Sequence, residues 1–405
     1  MGKMCFSLPV YIFFILIELI GFLWRIPNMF VGLGKEVTTS SEFPFAPFVR
    51  MLAYSILTTK FKPHVKTIPT QGRHRDFVTL PRFVFIHNQS CSFRRFKMSK
   101  QYLSWGSADK AHPIDIFSLA VTTTQVLSAS GASSIKIHST TGPDFALVQS
   151  LEEAHKIGCH HIVTDAKGSR AVSIGFGGDI KIWLYHDGNW SEDHTTSVGS
   201  ADVWAIALSE DGRHLAGVTQ SGHIKVWDLS AGGEEIRDYE AKGSFGTCLD
   251  LSSDGRFIAS GHENGGVYIF STETGRMPFS LSGLVKSVRA VAFSPGGKLL
   301  AAAGDSKIIV LYDTSSGEQV ANLSGHSAWI MSLAWSHTGE YLLSGSFDGK
   351  VKVWSIDTRT CVATHSETEK CVWSVKWLPK IGKTEGFATA GANRSIAFYR
   401  EATGG

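Results

Sequence analysis

The stretch GHSAWIMSLAWSHTGEYLLSGSFDGKVKVWS (residues 325–355) decides the fold of this protein. It holds three short segments rich in β-branched and aromatic residues: WIMSLAW (329–335), YLLSGS (341–346) and VKVWS (351–355). Glycine-containing polar segments separate them, as expected of tight turns between antiparallel strands. The stretch therefore predicts three consecutive strands, the last of which ends in an aromatic residue.

The same pattern recurs along the chain at nearly constant spacing. Consecutive strand-end positions are 42–45 residues apart, and they are Trp183, Trp227, Phe270, Tyr312, Trp354 and Tyr399, with His138 as a copy that has lost the aromatic ring. Repeats of this length are typical of propeller blades. A variable fourth segment, such as CVATH (361–365), completes each unit as a four-stranded antiparallel sheet. We therefore predict an all-β protein with a seven-bladed β-propeller over residues 98–405.

A ring of blades must close, because an open ring would leave an unpaired sheet edge. The segment QYLSW (101–105) lies just before the first repeat and has the composition of a strand. We expect it to supply the outer strand of blade seven.

The repeats resemble the WD-repeat family, and blade six matches that family best. In the family a His, a strand Ser or Thr, a turn Asp and the strand Trp form a buried hydrogen-bonded set. The resemblance assigns this structural set to His326, Ser344, Asp348 and Trp354. Blade two has Gly177 at the Asp position, and blade three has Gly217 and Ser221 at the Ser and Asp positions, so we expect the complete set only in blade six.

Residues 1–97 differ in composition from the rest of the chain. They carry 13 Lys and Arg against 4 Asp and Glu, whereas residues 98–405 carry 26 against 32. The segment LPVYIFFILIELIGFLW (8–24) has one charge and reaches the lower length limit of a membrane-spanning helix. Two interpretations are open: Met98 is the biological start and residues 1–97 are upstream sequence, or residues 8–24 form an anchor. We expect no packed fold in residues 1–97 beyond one hydrophobic helix over 8–24.

No catalytic, metal or cofactor motif stands out. The chain has no P-loop, GxSxG or HExxH motif, and its six cysteines form no CxxC or Cys/His cluster. We therefore predict no catalytic residues, no metal site, no cofactor and no enzyme activity. The near-neutral net charge of +3 likewise argues against direct nucleic-acid binding.

Residues at the start of each innermost strand are the candidate binding residues, because strand alternation points them toward the mouth of the central channel. Several are of the types that are enriched at the centres of protein interfaces. Counting along the repeats gives Phe117, His160, Trp204, Thr247, Arg289, Met331 and Trp373, and two residues of neighbouring loops are Phe245 and Trp329. From these, the candidate partner-binding residues are Phe117, Trp204, Phe245, Arg289, Trp329, Met331 and Trp373. The alternative is that they only fill the channel.

Within the WD-repeat family the chain resembles the small propeller subunits of superkiller (Ski) complexes and related meiotic recombination proteins. The resemblance rests on DVWAIALSEDGRHLA (202–216), VKVWSIDTRTCVATH (351–365) and CVWSVKW (371–377), and extends from about Met98 to the end. His138 and an unusual LYHDGNW segment (184–190) depart from it.

This resemblance implies a non-catalytic scaffold of exosome-linked cytoplasmic mRNA decay. Its partners would be a tetratricopeptide-repeat protein and an RNA helicase, with a meiotic double-strand-break protein in the nucleus. Relatives receive a short partner motif, an Arg and a hydrophobic residue, on the channel-mouth face. Localisation would be cytoplasmic and nuclear. The alternatives are a WD-repeat adaptor of another complex and a membrane-anchored propeller.

Overall fold

Seven four-stranded antiparallel sheets make up the part of the chain that the structure, a computed structural model, describes. That part is residues 100–402, apart from 143, 200–201, 242–243 and 383. The predicted helix over residues 8–24 lies outside it. In the described part, no helix is long and apolar enough to cross a membrane.

In blades one to six the strands follow one another in chain order, and the first of each set is the innermost. Blade one contains β2 (Ile116–Val121), β3 (Gln125–Ser130), β4 (Ile135–Ser139) and β5 (Leu147–Leu151). Blade two contains β6 (Cys159–Thr164), β7 (Arg170–Gly175), β8 (Ile180–His186) and β9 (Asn189–Glu192). Blade three contains β10 (Val203–Leu208), β11 (His214–Thr219), β12 (His223–Asp228) and β13 (Glu234–Glu240), with a 3₁₀ turn at Leu229–Ala231 before β13.

The second half of the ring repeats this arrangement. Blade four contains β14 (Gly246–Leu251), β15 (Phe257–His262), β16 (Val267–Ser271) and β17 (Phe279–Leu281). Blade five contains β18 (Val288–Phe293), β19 (Leu299–Gly304), β20 (Ile308–Asp313) and β21 (Gln319–Ser324). Blade six contains β22 (Ile330–Trp335), β23 (Tyr341–Ser346), β24 (Lys350–Ser355) and β25 (Thr360–Ser366). Blade seven contains β26 (Val372–Ile381), β27 (Thr384–Gly391), β28 (Ile396–Glu401) and β1 (Tyr102–Ala108).

Blade seven closes the ring as the sequence predicts. Its outer strand, β1, pairs antiparallel with β28, and Tyr102 lies opposite Glu401. The Lys100 ammonium lies 2.8 Å from Glu385 Oε2 and 3.3 Å from Glu401 Oε2, so the first described residue is fixed by charge at the seam. The prediction of a seven-bladed propeller with an N-terminal closing strand is confirmed.

The core of the protein is a set of interfaces between neighbouring blades. Seven clusters of buried apolar residues are found in the described chain, and each joins two adjacent sheets. The cluster between blades five and six, for example, contains Leu311 of β20 and Trp354 of β24. Because every blade buries both faces, the ring is stabilised mainly by apolar burial between blades.

Tight turns connect the first two strands of the blades. Gly212 and Gly339 occupy such turns with φ of 72° and 71°, a left-handed conformation that favours glycine. The Gly212 amide donates to the Ser209 carbonyl, and the Gly339 amide donates to the Ser336 carbonyl, both at 2.9 Å. The repeated turn residues therefore set the hairpins that the sequence predicts.

The buried hydrogen-bonded set of blade six forms a continuous relay. Trp354 Nε1 donates to Ser344 Oγ at 2.8 Å, the Ser344 hydroxyl contacts His326 Nε2 at 2.7 Å, and His326 Nδ1 contacts Asp348 Oδ2 at 3.0 Å. Burial opposes ionisation of Asp348, but hydrogen bonds from His326 and the Ser327 amide hold the pKa of its carboxyl well below its usual range. The relay therefore pairs a buried imidazole with an ionised carboxylate.

The expectation that only blade six has this set is wrong. In blade two, Trp183 donates to Ser173, Ser173 contacts His155, and His155 Nδ1 lies 2.5 Å from Asp179 Oδ2. The carboxylate belongs to Asp179, two residues beyond Gly177. The glycine-rich turn brings Asp179 back toward His155. A position-by-position alignment with blade six could not anticipate this.

Candidate partner-binding surface at the channel mouth

Seven β-bulges mark the inner-strand positions at the mouth of the channel. In every blade, the register between the two innermost strands shifts at the expected mouth position. The residues at these shifts are Phe117, His160, Trp204, Thr247, Arg289, Met331 and Trp373. A bulge bends its strand and redirects a side chain, and bulges are common beside functional sites. Strand alternation alone does not predict these bulges.

Aromatic side chains from six blades form one uninterrupted series of contacts around the mouth. We call this series the aromatic ring. The successive ring-centroid distances are Trp329–Phe347 5.8 Å, Phe347–Trp373 6.2 Å, Trp373–Phe117 5.4 Å, Phe117–Phe176 5.5 Å, Phe176–His160 4.9 Å, His160–Trp204 4.7 Å and Trp204–Phe245 5.5 Å. It brings together five predicted residues: Phe117, Trp204, Phe245, Trp329 and Trp373.

Two members of the aromatic ring, Phe176 and Phe347, were missed by the sequence analysis. Both lie in the turn between the second and third strands, and each precedes the strand-end Trp of its blade by seven residues. Their amides donate to the loop carbonyls of Gly158 at 3.0 Å and Trp329 at 2.8 Å, which folds each turn against the mouth. This common offset is the signal that could have identified them.

Arg289 fills the sector of blade five, where the aromatic series ends. Its guanidinium donates from Nε and Nη2 to the two carboxylate oxygens of Asp305, and the Nη2 distance is 3.1 Å. The same guanidinium lies 4.6 Å from the centroid of the Trp329 ring. Arg289 is thus held by a bidentate ion pair and by a cation–π contact, which orient it rigidly at the mouth.

The two remaining inner positions behave differently from the aromatic residues. Thr247 turns into its own sheet and the next, donating to the Gly261 carbonyl at 2.9 Å and also contacting the Val288 carbonyl. Met331 is half-buried at the equivalent position of blade six. Neither residue belongs to the series of ring contacts that defines the aromatic ring.

His160 is an uncharged member of the aromatic ring. Burial lowers the pKa of its imidazole to about 4. Nε2 donates to the Trp204 carbonyl at 2.6 Å, whereas the buried Nδ1 has no hydrogen-bond partner. The neutral imidazole therefore stacks as an aromatic residue between Phe176 and Trp204.

Carboxylates lie beside the aromatic ring at several places on the rim. Asp115 accepts a hydrogen bond from Trp373 Nε1 at 3.2 Å. Asp202 and Glu263 occupy loop and turn positions in blades three and four, and the Glu263 amide donates to the Phe245 carbonyl at 2.9 Å. Aromatic faces next to carboxylates suit a ligand that carries apolar and cationic groups.

Nothing in the described residues resembles a metal centre. No three His, Cys, Asp or Glu side chains come close enough together there to hold an ion. Cys159, Cys248 and Cys371 are buried free thiols, and burial raises the pKa of all three.

The amino-acid sequence of this chain is similar to one family model and to several known proteins. The family model described as "WD domain, G-beta repeat" matches residues 191–228, 235–271, 277–313 and 317–355. The meiotic recombination protein rec14 of Schizosaccharomyces pombe is 42% identical over 305 residues, which cover 75% of this chain and 99% of that protein. The WD repeat-containing protein SL1-17 of Schistosoma mansoni is 32% identical over 143 residues, which cover 35% of this chain and 46% of that protein.

The four matched segments each end one residue after a strand-end aromatic residue, at blades three to six. WD-repeat propellers generally mediate protein–protein interactions, and an aromatic surface at a channel mouth is consistent with a scaffold. The chain belongs to the WD-repeat family of β-propeller proteins, as rec14 does.

Proposed function

We propose that this protein is a non-catalytic scaffold that binds short segments of partner proteins at its channel mouth. The observation that supports this most strongly is the aromatic ring, which continues through six blades. Large aromatic residues and Arg dominate the energetics of protein interfaces. Trp204 also packs against the cluster between blades three and four. Phe117, Phe245, Trp329 and Trp373 belong to none of the inter-blade clusters of the described chain, so the core does not account for them.

The partner segment carries a hydrophobic residue and a basic residue. The hydrophobic residue packs on the aromatic ring, and the rim carboxylates attract the basic residue. Asp305 is already paired with Arg289, and we assign this role to Asp115 and Glu263. A motif of an Arg and a hydrophobic residue is also what the resemblance to Ski-type propellers implies.

The proposed partners are a tetratricopeptide-repeat protein and an RNA helicase of a Ski-like complex, in cytoplasmic exosome-linked mRNA decay. The likeness to rec14, a meiotic recombination protein by name, supports a second role with a meiotic double-strand-break protein in the nucleus. The scaffold binds protein and not nucleic acid directly. Partner identity is therefore the property to test first.

The test compares full-length variants expressed in place of the endogenous protein. Trp204→Ala and Trp373→Ala remove members of the aromatic ring, and Ile236→Ala is the control because Ile236 is 37% exposed on β13, away from the mouth. We expect co-purification of the tetratricopeptide-repeat protein and the helicase to fall at least tenfold in both Trp variants, since losing a hot-spot residue costs 2 kcal/mol or more, a loss of about thirtyfold in affinity.

Each other result has a definite meaning. Full retention of these partners by both Trp variants would exclude the mouth as their binding site. Loss of a different set of proteins, without a helicase among them, would make the protein the adaptor of another complex. Thermal midpoints equal to the wild-type value are required of all three variants, so that unfolding does not mimic loss of binding.

A further inference from the structure

The closing strand β1 is attached to its sheet differently from the outer strands of the other blades. In blades one to six the outer strand follows the third strand in the chain, so a connection within the blade joins it to the sheet that it completes. β1 instead precedes blade one and pairs with β28 near the other end of the described chain, where Tyr102 lies opposite Glu401. Only non-covalent contacts therefore hold β1 against β28, and its release would break no hairpin.

The apolar contacts of β1 are concentrated at two residues. Tyr102 is the one residue of β1 that is fully buried, and the centroid of its ring lies 5.4 Å from that of Phe387. The half-buried Trp105 packs on Phe145 of blade one at 4.9 Å. The pairing with β28 is interrupted at Trp105, so it consists of two runs of three residue pairs. An element with few buried contacts and short paired runs opens locally at low free energy.

Four charged side chains lie together where β1 begins. We call Lys100, Lys380, Glu385 and Glu401 the seam cluster. Lys100 Nζ lies 2.8 Å from Glu385 Oε2 and 3.3 Å from Glu401 Oε2. The Lys380 ammonium lies 3.0 Å from Glu385 Oε1 but is 37% exposed, whereas Lys100 is 19% exposed. Lys100 Nζ also lies 5.1 Å from the centroid of the Tyr341 ring of blade six. Lys100 is thus the more enclosed cation and the one that contacts both carboxylates.

The two carboxylates of the seam cluster are held close to each other. Glu401 Oε2 accepts a hydrogen bond from the Glu385 amide at 3.3 Å, and the Glu385 side chain is 1% exposed. Burial opposes ionisation of Glu385, but the ammonium groups of Lys100 and Lys380 hold the pKa of its carboxyl below its usual range. Without the charge of Lys100, a buried carboxylate would lose one of the two cations that contact it in the described chain and would face a second carboxylate.

We propose that β1 is a releasable strap and that the positive charge of Lys100 is the latch that holds it closed. Loss of that charge leaves Glu385 and Glu401 repelling each other at the start of the strap. The first residues of β1 then separate from β28, whose edge becomes open to solvent. The inference is independent of the proposed function, because the seam cluster lies at the end of the β26 strand that is farther from the channel mouth.

The other end of β1 is held separately. Just after β1, the Lys110 amide donates to Ser395 Oγ at 3.1 Å, and the His112 amide donates to the Arg394 carbonyl at 3.3 Å. These bonds attach the chain to a turn of blade seven and involve no residue of the seam cluster. Opening therefore begins at the seam cluster and stops at the register shift, so that residues 106–108 stay paired with β28.

The experiment measures amide hydrogen exchange of the full-length protein at neutral pH by mass spectrometry, with fragmentation that separates residues 101–104 from residues 106–108. Lys100→Gln removes the charge of the latch, and Lys100→Arg keeps it. Lys110→Gln is the matched control, because Lys110 is exposed, lies just beyond β1 and has no ion pair among the described residues. The thermal midpoint of each variant is measured in parallel.

We expect Lys100→Gln to raise the exchange rate of the protected amides in residues 101–104 about tenfold, which corresponds to about 1.4 kcal/mol in the opening equilibrium. Residues 106–108 and the outer strand β25 of blade six should exchange as in the wild type. Lys100→Arg and Lys110→Gln should leave every strand close to wild type. Adding Glu385→Gln to Lys100→Gln removes the repulsion between the carboxylates, so the exchange of residues 101–104 should return toward the wild-type rate.

Three results would overturn the proposal. Unchanged exchange of residues 101–104 in Lys100→Gln would mean that Lys100 does not hold β1. An equal rise in every strand, with a lower thermal midpoint, would mean that the seam cluster supports the whole ring and that β1 is not a separable strap. If Lys100→Arg opens β1 as much as Lys100→Gln does, the shape of the side chain and not its charge holds the strand.

Discussion

Blade six and blade one differ in how they bury an aromatic side chain against the preceding blade. In blade six this side chain is Trp354, which belongs to the third strand and to the hydrogen-bonded relay and packs between blades five and six. In blade one the strand position is His138, and the ring that packs between blades seven and one is Phe145, from the loop before β5. The comparison teaches that the interface requires an aromatic residue but not a particular position for it.

Phe145 is held by aromatic neighbours on blade seven. Its ring is stacked 3.7 Å from that of Phe398 with an interplanar angle of 4°, and Trp105 of the closing strand meets its edge at 4.9 Å. Its φ of 45° is unusual for a residue other than glycine, so the burial of the ring must offset backbone strain. The closing strand and the atypical blade thus stabilise each other.

The largest effect should come from truncating either of the two buried aromatic side chains, Phe145 or Trp354. We expect Phe145→Ala and Trp354→Ala each to lower the free energy of unfolding by about 3–5 kcal/mol, as for large-to-small changes at buried aromatic residues. His138→Ala should cost far less, about 1 kcal/mol or under, because the imidazole is smaller than either ring and its Nδ1 makes no hydrogen bond that would be lost. Urea denaturation followed by tryptophan fluorescence measures all three.

A matched control comes from the same part of blade one. Leu147 is 51% exposed on β5, so Leu147→Ala should change the unfolding midpoint very little. The comparison breaks down if His138→Ala proves as costly as Phe145→Ala, since the strand position would then carry the interface after all.

An intermediate effect is expected at the charged end of the blade-six relay. Asp348→Asn should destabilise the protein at pH 7 by about 1–3 kcal/mol, because His326 loses an ionised partner in a buried site. The lowered pKa of Asp348 means that its stabilising effect is complete above the unfolded-state pKa, near 4, and is lost as the pH falls through the acid range.

The pH dependence identifies the carboxylate as the cause. The difference in unfolding free energy between wild type and Asp348→Asn should shrink as the pH is lowered from 5 to 3. Blade two provides the parallel case, with Asp179→Asn, whose carboxylate is more exposed and should matter less. A difference between wild type and Asp348→Asn that stays constant over this range would assign the effect to shape or packing instead.

The repeat made most of the fold predictable from the sequence. A strand-end aromatic every 42–45 residues fixed the blade number, and the polar turns fixed the hairpins. The closing strand was predictable because residues 101–105 have no other partner in the repeat pattern. Local sequence patterns of this kind predict the pairing of strands that follow one another in the chain. Almost all strand pairs in a propeller blade are of this kind.

Features that depend on non-local packing were harder to predict. Phe145 replaces a missing aromatic residue from a loop seven residues away from His138, and Asp179 completes a relay from two residues beyond the aligned position. Phe176 and Phe347 join the aromatic ring from turns between the second and third strands, away from the inner-strand positions that the repeat pattern selects. In each case the side chain is selected by the space available in three dimensions, which a one-dimensional repeat does not encode.

The smallest effect, and the most direct test of the comparison, is the repair of His138 itself. The imidazole is 4% exposed, its Nδ1 has no hydrogen-bond partner, and burial lowers its pKa to about 4. Because the unfolded-state pKa is near 6.5, wild-type stability should fall as the pH drops from 6.5 toward 4. His138→Phe removes both the unpaired polar atom and this titration, so we expect it to stabilise the protein by about 1 kcal/mol at pH 7.5.

The gain in stability from His138→Phe should be larger at pH 5, where the unfolded state of the wild type binds the extra proton, and thermal melts at the two pH values measure it. Destabilisation at both pH values would mean that Phe145 leaves no room for a second ring, and that blade one requires a small polar residue in the strand because its aromatic residue comes from the loop.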